Sequence, residues 1–443
     1  MKIGNIDCEN GQGITNLMTA VDTREELKKD IIVNVSDSVE FKPELTINND
    51  EIKFQLGEGL NTTTFTPSSL WYKQFGQWAD ITGKYMDKMV EKSFNLKSEL
   101  SSVKDRLNEI EKIDPVYRTS EAERESEELI NQAVVLNDRS KGLNSILYNQ
   151  IEYFFKYPKN NPRRLFRLMN PIGDQESGIV RSFHSNSYKI LDDNKAIQSV
   201  LRATGEELQD SSLTLESAHL GDTKMFLKFV NKNIGAVING KEVNYMLTVR
   251  NSEVGTQSFN TAEGYYVQWC SNGAIRETIL KQTHRGVAKD TSYKMDTLQA
   301  EGELSWRMLR DDLSVSMTQE HMDEMVRQIE GTVDVTFTKP EEVIKDVTKK
   351  FRLSDDESLK TLVNIQADSS DFGMSQWALS NAITKTAQKV NSYARSTELE
   401  SIGSDILKMP SNYFDKKQYQ SQAVTVGNDS VNISELFRGA TND

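Results

Sequence analysis

The chain has 443 residues, 37% of them hydrophobic and 27% charged, and its 53 Lys+Arg against 66 Asp+Glu leave a net charge of −13. That length allows two or three domains, each with its own core, and the acidic balance excludes bulk attraction to nucleic acid or anionic membranes unless basic charge is segregated locally. The two cysteines, Cys8 and Cys270, exclude a disulfide scaffold or a cysteine-rich zinc site and are expected to be free thiols in a reducing compartment.

The N-terminal residues lack the apolar core of a signal peptide, and no window approaches 18 apolar residues; the expectation is a cytoplasmic protein with no membrane partner. A short helix is expected at Thr23–Lys29. DIIVNVSDSVEFKP follows with strand-like alternation through Ile32, Val33, Val35, Val39 and Phe41. Residues 44–66 read as short strands. Ser68 or Ser69 is placed to cap a helix whose apolar stripe is Leu70, Trp71, Phe75, Trp78 and Ile81. Leu96, Leu100, Val103, Leu107 and Ile110 then repeat at 4-3-4-3 spacing, a heptad seam. Asp114-Pro115 breaks it, and a second stripe runs through Leu129, Ala133, Leu136, Ser140, Leu143 and Leu147. The pattern reads as an antiparallel coiled-coil hairpin over 95–150, an arm suited to self-association; the plainer alternative is a surface helix pair with a core stripe.

Residues 151–300 are the most β-like and the most basic part, with 19 Lys+Arg against 16 Asp+Glu. Between 156 and 202, nine basic residues face four acidic ones, interleaved with Tyr153, Phe154, Phe155, Tyr157, Phe166, Phe183 and Tyr188. Basic plus aromatic is what a single-strand groove requires: cations neutralise phosphates and rings stack bases. The alternative is a core of aromatics beneath a solvated charged face. Strands are expected at 179–184, 225–231, 234–239, 243–250 and 265–270, with Asn239-Gly240 as a hairpin turn. Residues 318–330 and 376–400 read as helices, Thr332–Phe337 as a short strand, and 411–443 as a polar, loosely ordered tail.

Familiar catalytic motifs are absent. There is no phosphate-binding loop, no complete dinucleotide glycine pattern and no nucleophile elbow. His184, His219, His284 and His321 do not pair at metal spacing. Cys270 with His284 suggests a thiol–imidazole dyad less than a buried structural cysteine. Asp192-Asp193 suits either a divalent cation or an acidic turn.

Several segments taken together resemble the phage- and plasmid-associated family known as domain of unknown function 932. They are IVRSFHSNSYKILDDNKAI (179–197), LTVRNSEVGTQSF (247–259), and YYVQWCSNGAI (265–275) followed by Thr283-His284-Arg285-Gly286. LWYKQFGQWADITGKYMDKM (70–89) resembles the family's early helix and WALSNAITKTAQKV (377–390) a late one. The segments keep their order over most of the chain. Two departures are Arg250 before Asn251-Ser252 and the long helical arm. The resemblance implies a phage or plasmid origin among replication and recombination genes, an organisation loosely similar to strand-annealing proteins, and no defined reaction.

The expected fold is α+β: a twisted, mainly antiparallel sheet over about 179–270 with helices on one face, plus the helical hairpin. The expected organisation is an N-terminal α+β segment (1–94), the arm (95–150), a β-rich core (151–340), a helical segment (341–410) and the tail (411–443). The leading functional expectation is a non-catalytic, homo-oligomeric protein that binds single-stranded DNA through Arg163, Arg164, Arg167, Arg181, Tyr188 and Lys189, with Tyr188 or Phe183 stacking a base and phage or host replication proteins as further partners. A structural or host-interaction assembly protein is the alternative. The third reading is a metal-dependent nuclease holding Mg²⁺ at Asp192, Asp193, Glu253 and His284; the leading reading needs no cofactor.

Overall fold

In a computed structural model of the chain, the residues described are 4–6, 8, 12–37, 41–46, 51–57, 62–114, 117–207, 212–268, 272–286 and 294–415. The fold is α+β, with two six-stranded sheets. It divides into two compact units. Unit 1 comprises Met1–Phe229, Val249–Thr261 and Thr278–Val315; unit 2 comprises Val230–Thr248, Ala262–Glu277 and Ser316–Asp443.

Unit 1 begins with β1 (Gly4–Asn5), α1 (Gly13–Leu27), β2 (Lys28–Asn34), β3 (Phe41–Thr46), β4 (Glu51–Leu56) and β5 (Thr63–Pro67). It continues through α2 (Ser69–Trp78), α3 (Gly83–Glu111), α4 (Ser120–Lys156), β6 (Arg163–Met169), β7 (Gly178–Ser185), α5 (Asp193–Arg202) and β8 (Leu213–Leu220). The first sheet runs β2-β6-β7-β5-β4-β3, antiparallel except for the parallel β5–β7 pair. α2 starts where Ser68 caps it, the hydroxyl accepting from the Trp71 amide at 3.1 Å. Its stripe (Trp71, Phe75 and Trp78) packs with Phe155 of α4 onto Phe41, Phe54, Phe65, Phe166 and Phe183 of the sheet. Most of the aromatics around the basic cluster therefore form core.

The helical hairpin is present and longer than its sequence pattern suggests, spanning α3 and α4. Leu96, Val103, Leu136 and Leu143 form its seam. Pairing of Arg106 with Glu125, of Ser93 with Asn144 (3.1 Å) and of Tyr85 with Gln150 makes it antiparallel.

The second sheet has the order β1-β8-β9-β10-β11-β12, adding β9 (Met225–Ile238), β10 (Lys241–Asn251), β11 (Phe259–Val267) and β12 (Asn272–Gln282). Each of these four long strands contributes residues to both units. Asn239 (φ 49°) and Gly240 (φ 72°) make the tight turn between β9 and β10. α6 (Met295–Ser316) follows. Unit 2 adds α7 (Gln319–Val333), α8 (Pro340–Phe351), α9 (Asp355–Ala367), α10 (Ser369–Phe372), α11 (Gln376–Ala387) and α12 (Tyr393–Leu407). Trp377, Leu379 and Ile383 of α11 are fully buried there.

Several expectations are corrected. The single sheet over 179–270 is two sheets. The expected break at 232–233 lies inside β9, where the Asn231 side chain accepts from the Asn233 amide (2.9 Å) and the strand continues. Thr332–Phe337 is not a strand: Met322, Met325, Val326, Ile329 and Thr332 carry the buried helical face of α7 to its end, and only an isolated bridge joins Thr336 to Ser375. The helix expected over 376–400 is two, α11 and α12, the second capped by Ser392. α1 starts ten residues before Thr23 and stops at Leu27, where β2 begins. Cys270 and residues 416–443 of the expected tail lie outside the described residues.

Candidate nucleic-acid interface

Strand alternation on β6 (RRLFRLM) sends its arginines to opposite faces. Arg164 points with Phe166 and Leu168 toward the helix-covered face; its guanidinium lies 4.7 Å from the Phe183 ring centre and 5.8 Å from that of Trp78. Arg167 points the other way and is 1% exposed. Its Nε donates to both Asp30 oxygens (3.0 and 3.1 Å), Nη1 to the Glu253 carbonyl (2.6 Å) and Nη2 to Asp192. On β7 a register irregularity leaves Arg181 between the partners of Arg167 and Leu168. Arg181 uses Nη2 to donate to Glu253 Oε2 at 2.9 Å.

Glu253 is the hub. Its carboxylate has no solvent exposure, pairs with Lys28 and Arg181, lies 3.6 Å from Arg24, and accepts from the Asp193 amide at 3.0 Å. Arg24 also lies 3.8 Å from Asp193. Four cations (Arg24, Lys28, Arg167, Arg181) thus face four carboxylates (Asp30, Asp192, Asp193, Glu253) inside unit 1. Burial alone pushes the Glu253 carboxyl up, but Lys28, Arg181, Arg24 and Arg167 together hold it well below the usual range. Asp193 is pushed the other way, to about 6, by burial and by the Glu253 charge. Desolvation makes such a network a poor source of net stability but a strict constraint on geometry.

A cleft of about 930 Å³ lies on the same unit. Tyr188 connects the two, its hydroxyl donating to the Glu253 carbonyl at 3.0 Å. Its ring stacks on His184 (centres 3.7 Å apart) and on His284 (5.0 Å). Burial, then the Arg167 charge, holds His184 well below its ordinary range; burial likewise brings His284 down to about 4. Both imidazoles are therefore neutral at pH 7. Gly255 sits against these rings with φ +77°, and a Cβ there would lie 3.0 Å from His184 Cε1. Gln74 braces the wall, accepting from the Phe183 amide (2.7 Å) and donating to the Val254 carbonyl (3.0 Å).

The cleft lining combines Arg164 and Arg285 with the amides of Gln74, Gln77, Asn160, Asn161 and Gln257, and contains no carboxylate. Among the described residues, neither arginine has a carboxylate partner. Burial brings the Arg164 guanidinium down to about 10, so it remains charged at neutral pH.

The expected residues separate accordingly. Arg164 and Tyr188 line the cleft, and Arg163 is half-buried at the start of β6. Arg167 and Arg181 are buried on carboxylates, where no phosphate reaches them. Lys189 is 9% exposed and donates to Gln282 (3.2 Å). Tyr188 is buried and stacked with two imidazoles, and Phe183 is core, so neither ring is open to a base. Asp192, Asp193 and Glu253 do converge, but with cations between them, and His284 lies apart, stacked on Tyr188. These residues do not fit a divalent ion, and no metal-holding group of three or more His, Cys, Asp or Glu occurs among the described residues. Sequence reasoning missed Gln74, Gln77, Asn160, Asn161, Gln257 and Arg285; Arg285 and Gly255 stood inside quoted segments without a role. Four of those segments (70–89, 179–197, 247–259 and 283–286) supply cleft or network residues.

The chain matches no protein-family model, no curated protein and no solved structure. No helix among the described residues is long and apolar enough to cross a membrane.

Proposed function

We propose that the unit 1 cleft binds single-stranded DNA without catalysis, in the manner of a strand-annealing protein. The observation that carries this reading is the lining: two arginines with no carboxylate partner among the described residues, five amides and no acid, in a chain whose net charge is −13. Arg164 and Arg285 would neutralise phosphates. Gln74 is committed to the wall and Asn160 and Gln257 donate to backbone carbonyls, so Gln77 and the remaining amide groups would meet base edges or sugars, and the Arg164 guanidinium over Phe183 would stack a base. The resemblance to domain of unknown function 932 agrees with a replication or recombination setting, with phage or host replication proteins as partners and a homo-oligomer as the working form.

The test is binding of a labelled single-stranded DNA 40-mer to wild type and to Arg164→Gln/Arg285→Gln. The double variant is expected to lose at least tenfold in affinity with unchanged circular dichroism. Equal binding by a folded double variant would remove the cleft from the account.

A further inference from the structure

α4 carries two seams. One is the buried stripe that packs on α3. The other is fully outside: Val135, Arg139, Gly142, Ile146, Asn149, Tyr153 and Lys156 follow at 4-3-4-3-4-3 intervals, and all seven are exposed. Val135 and Ile146 are 49% and 48% exposed, Tyr153 and the adjoining Tyr157 57% each. This is the spacing by which one helix meets another along a coiled-coil seam. Around a Cβ built at Gly142, no atom lies within 4 Å, so a second backbone can come close there.

We propose that this face binds the same face of a second copy of the chain, with the two α4 helices antiparallel. Charge along the helix selects that direction. Its start holds Glu121, Glu123, Glu125, Glu127 and Glu128 against Arg124, whereas residues 139–156 hold Arg139, Lys141 and Lys156 against Glu152. A parallel pair would set acid on acid. One antiparallel register places Val135 against Ile146 of the second copy, Asn149 against Gln132 and Tyr153 against Glu128. It sets Gly142 opposite Arg139, Glu125 opposite Lys156, and Arg124 opposite Tyr157. Glu125 is already paired to Arg106 of its own chain at 2.8 Å, so Lys156 would join an existing ion pair. The pairing is independent of what the cleft binds.

The test uses the full chain and mass measurement by light scattering at tens of micromolar. Wild type is expected at twice the chain mass or an even multiple. Val135→Glu/Ile146→Glu puts like charges opposite each other in the proposed register, and is expected to halve the mass with unchanged circular dichroism. Val135→Glu/Ile146→Lys puts opposite charges there and is expected to restore it. A monomeric wild type, an unchanged mass in the first variant, or no restoration in the second would each overturn the proposal.

Discussion

Glu253 is held by cations on three strands and a helix, and its removal tests whether the network is one unit. Glu253→Gln leaves Lys28, Arg181 and Arg24 buried without their shared counter-charge, a loss of about 3–5 kcal/mol, readable by urea denaturation at pH 7. The two central acids carry opposite pH signatures. Glu253 is ionised far more readily folded than unfolded; the stability it supplies is complete above about pH 4.5 and is lost as pH falls from there. Asp193, pushed up to about 6, binds its proton more tightly when folded, so its ionisation weakens the fold as pH rises from about 4 to 6. Asp193→Asn should therefore gain on wild type across that interval, on the order of 3 kcal/mol. A constant difference over pH 4–7 would contradict the assignment. Gly255→Ala combines a left-handed φ with contacts on His184 and Tyr188; it should cost about 1–3 kcal/mol and weaken strand binding, measured by melting and by anisotropy.

At the scale of elements, patterns that depend on neighbouring residues were legible and patterns that depend on distant ones were not. The 4-3 spacing of Leu96 to Ile110 and of Leu129 to Leu147 is enough for the hairpin, because a heptad stripe must find another helix. Leu147 is 1% exposed where α4 meets the sheet, so Leu147→Ala should destabilise by about 2–5 kcal/mol in urea titration. Asn239-Gly240 likewise announces its turn. The fate of Arg167 is different. RRLFRLM alternates identically whether its second face is wet or dry; burial comes from Asp30, Asp192 and Glu253, up to 137 residues away in sequence. The basic–aromatic cluster divided for the same reason: sheet pairing put Phe166 and Phe183 under α2 and Arg167 under the loop holding Glu253.

Over the whole molecule, an acidic chain keeps a carboxylate-free cleft in unit 1, with two arginines that have no carboxylate partner among the described residues. That segregation is the condition under which a chain of net charge −13 could hold a polyanion, and it would make the proposed binding strongly dependent on salt. The most direct measurement is anisotropy of a labelled oligo(dT) across a salt titration, for wild type and Arg164→Gln/Arg285→Gln. Each phosphate contact on a single strand contributes a slope of about −0.7 in log affinity against log salt. Wild type is predicted to bind with a steep negative slope, and the double variant to bind weakly with a slope shallower by about 1.4. No binding by wild type at low salt, or the same slope in both proteins, would contradict the account.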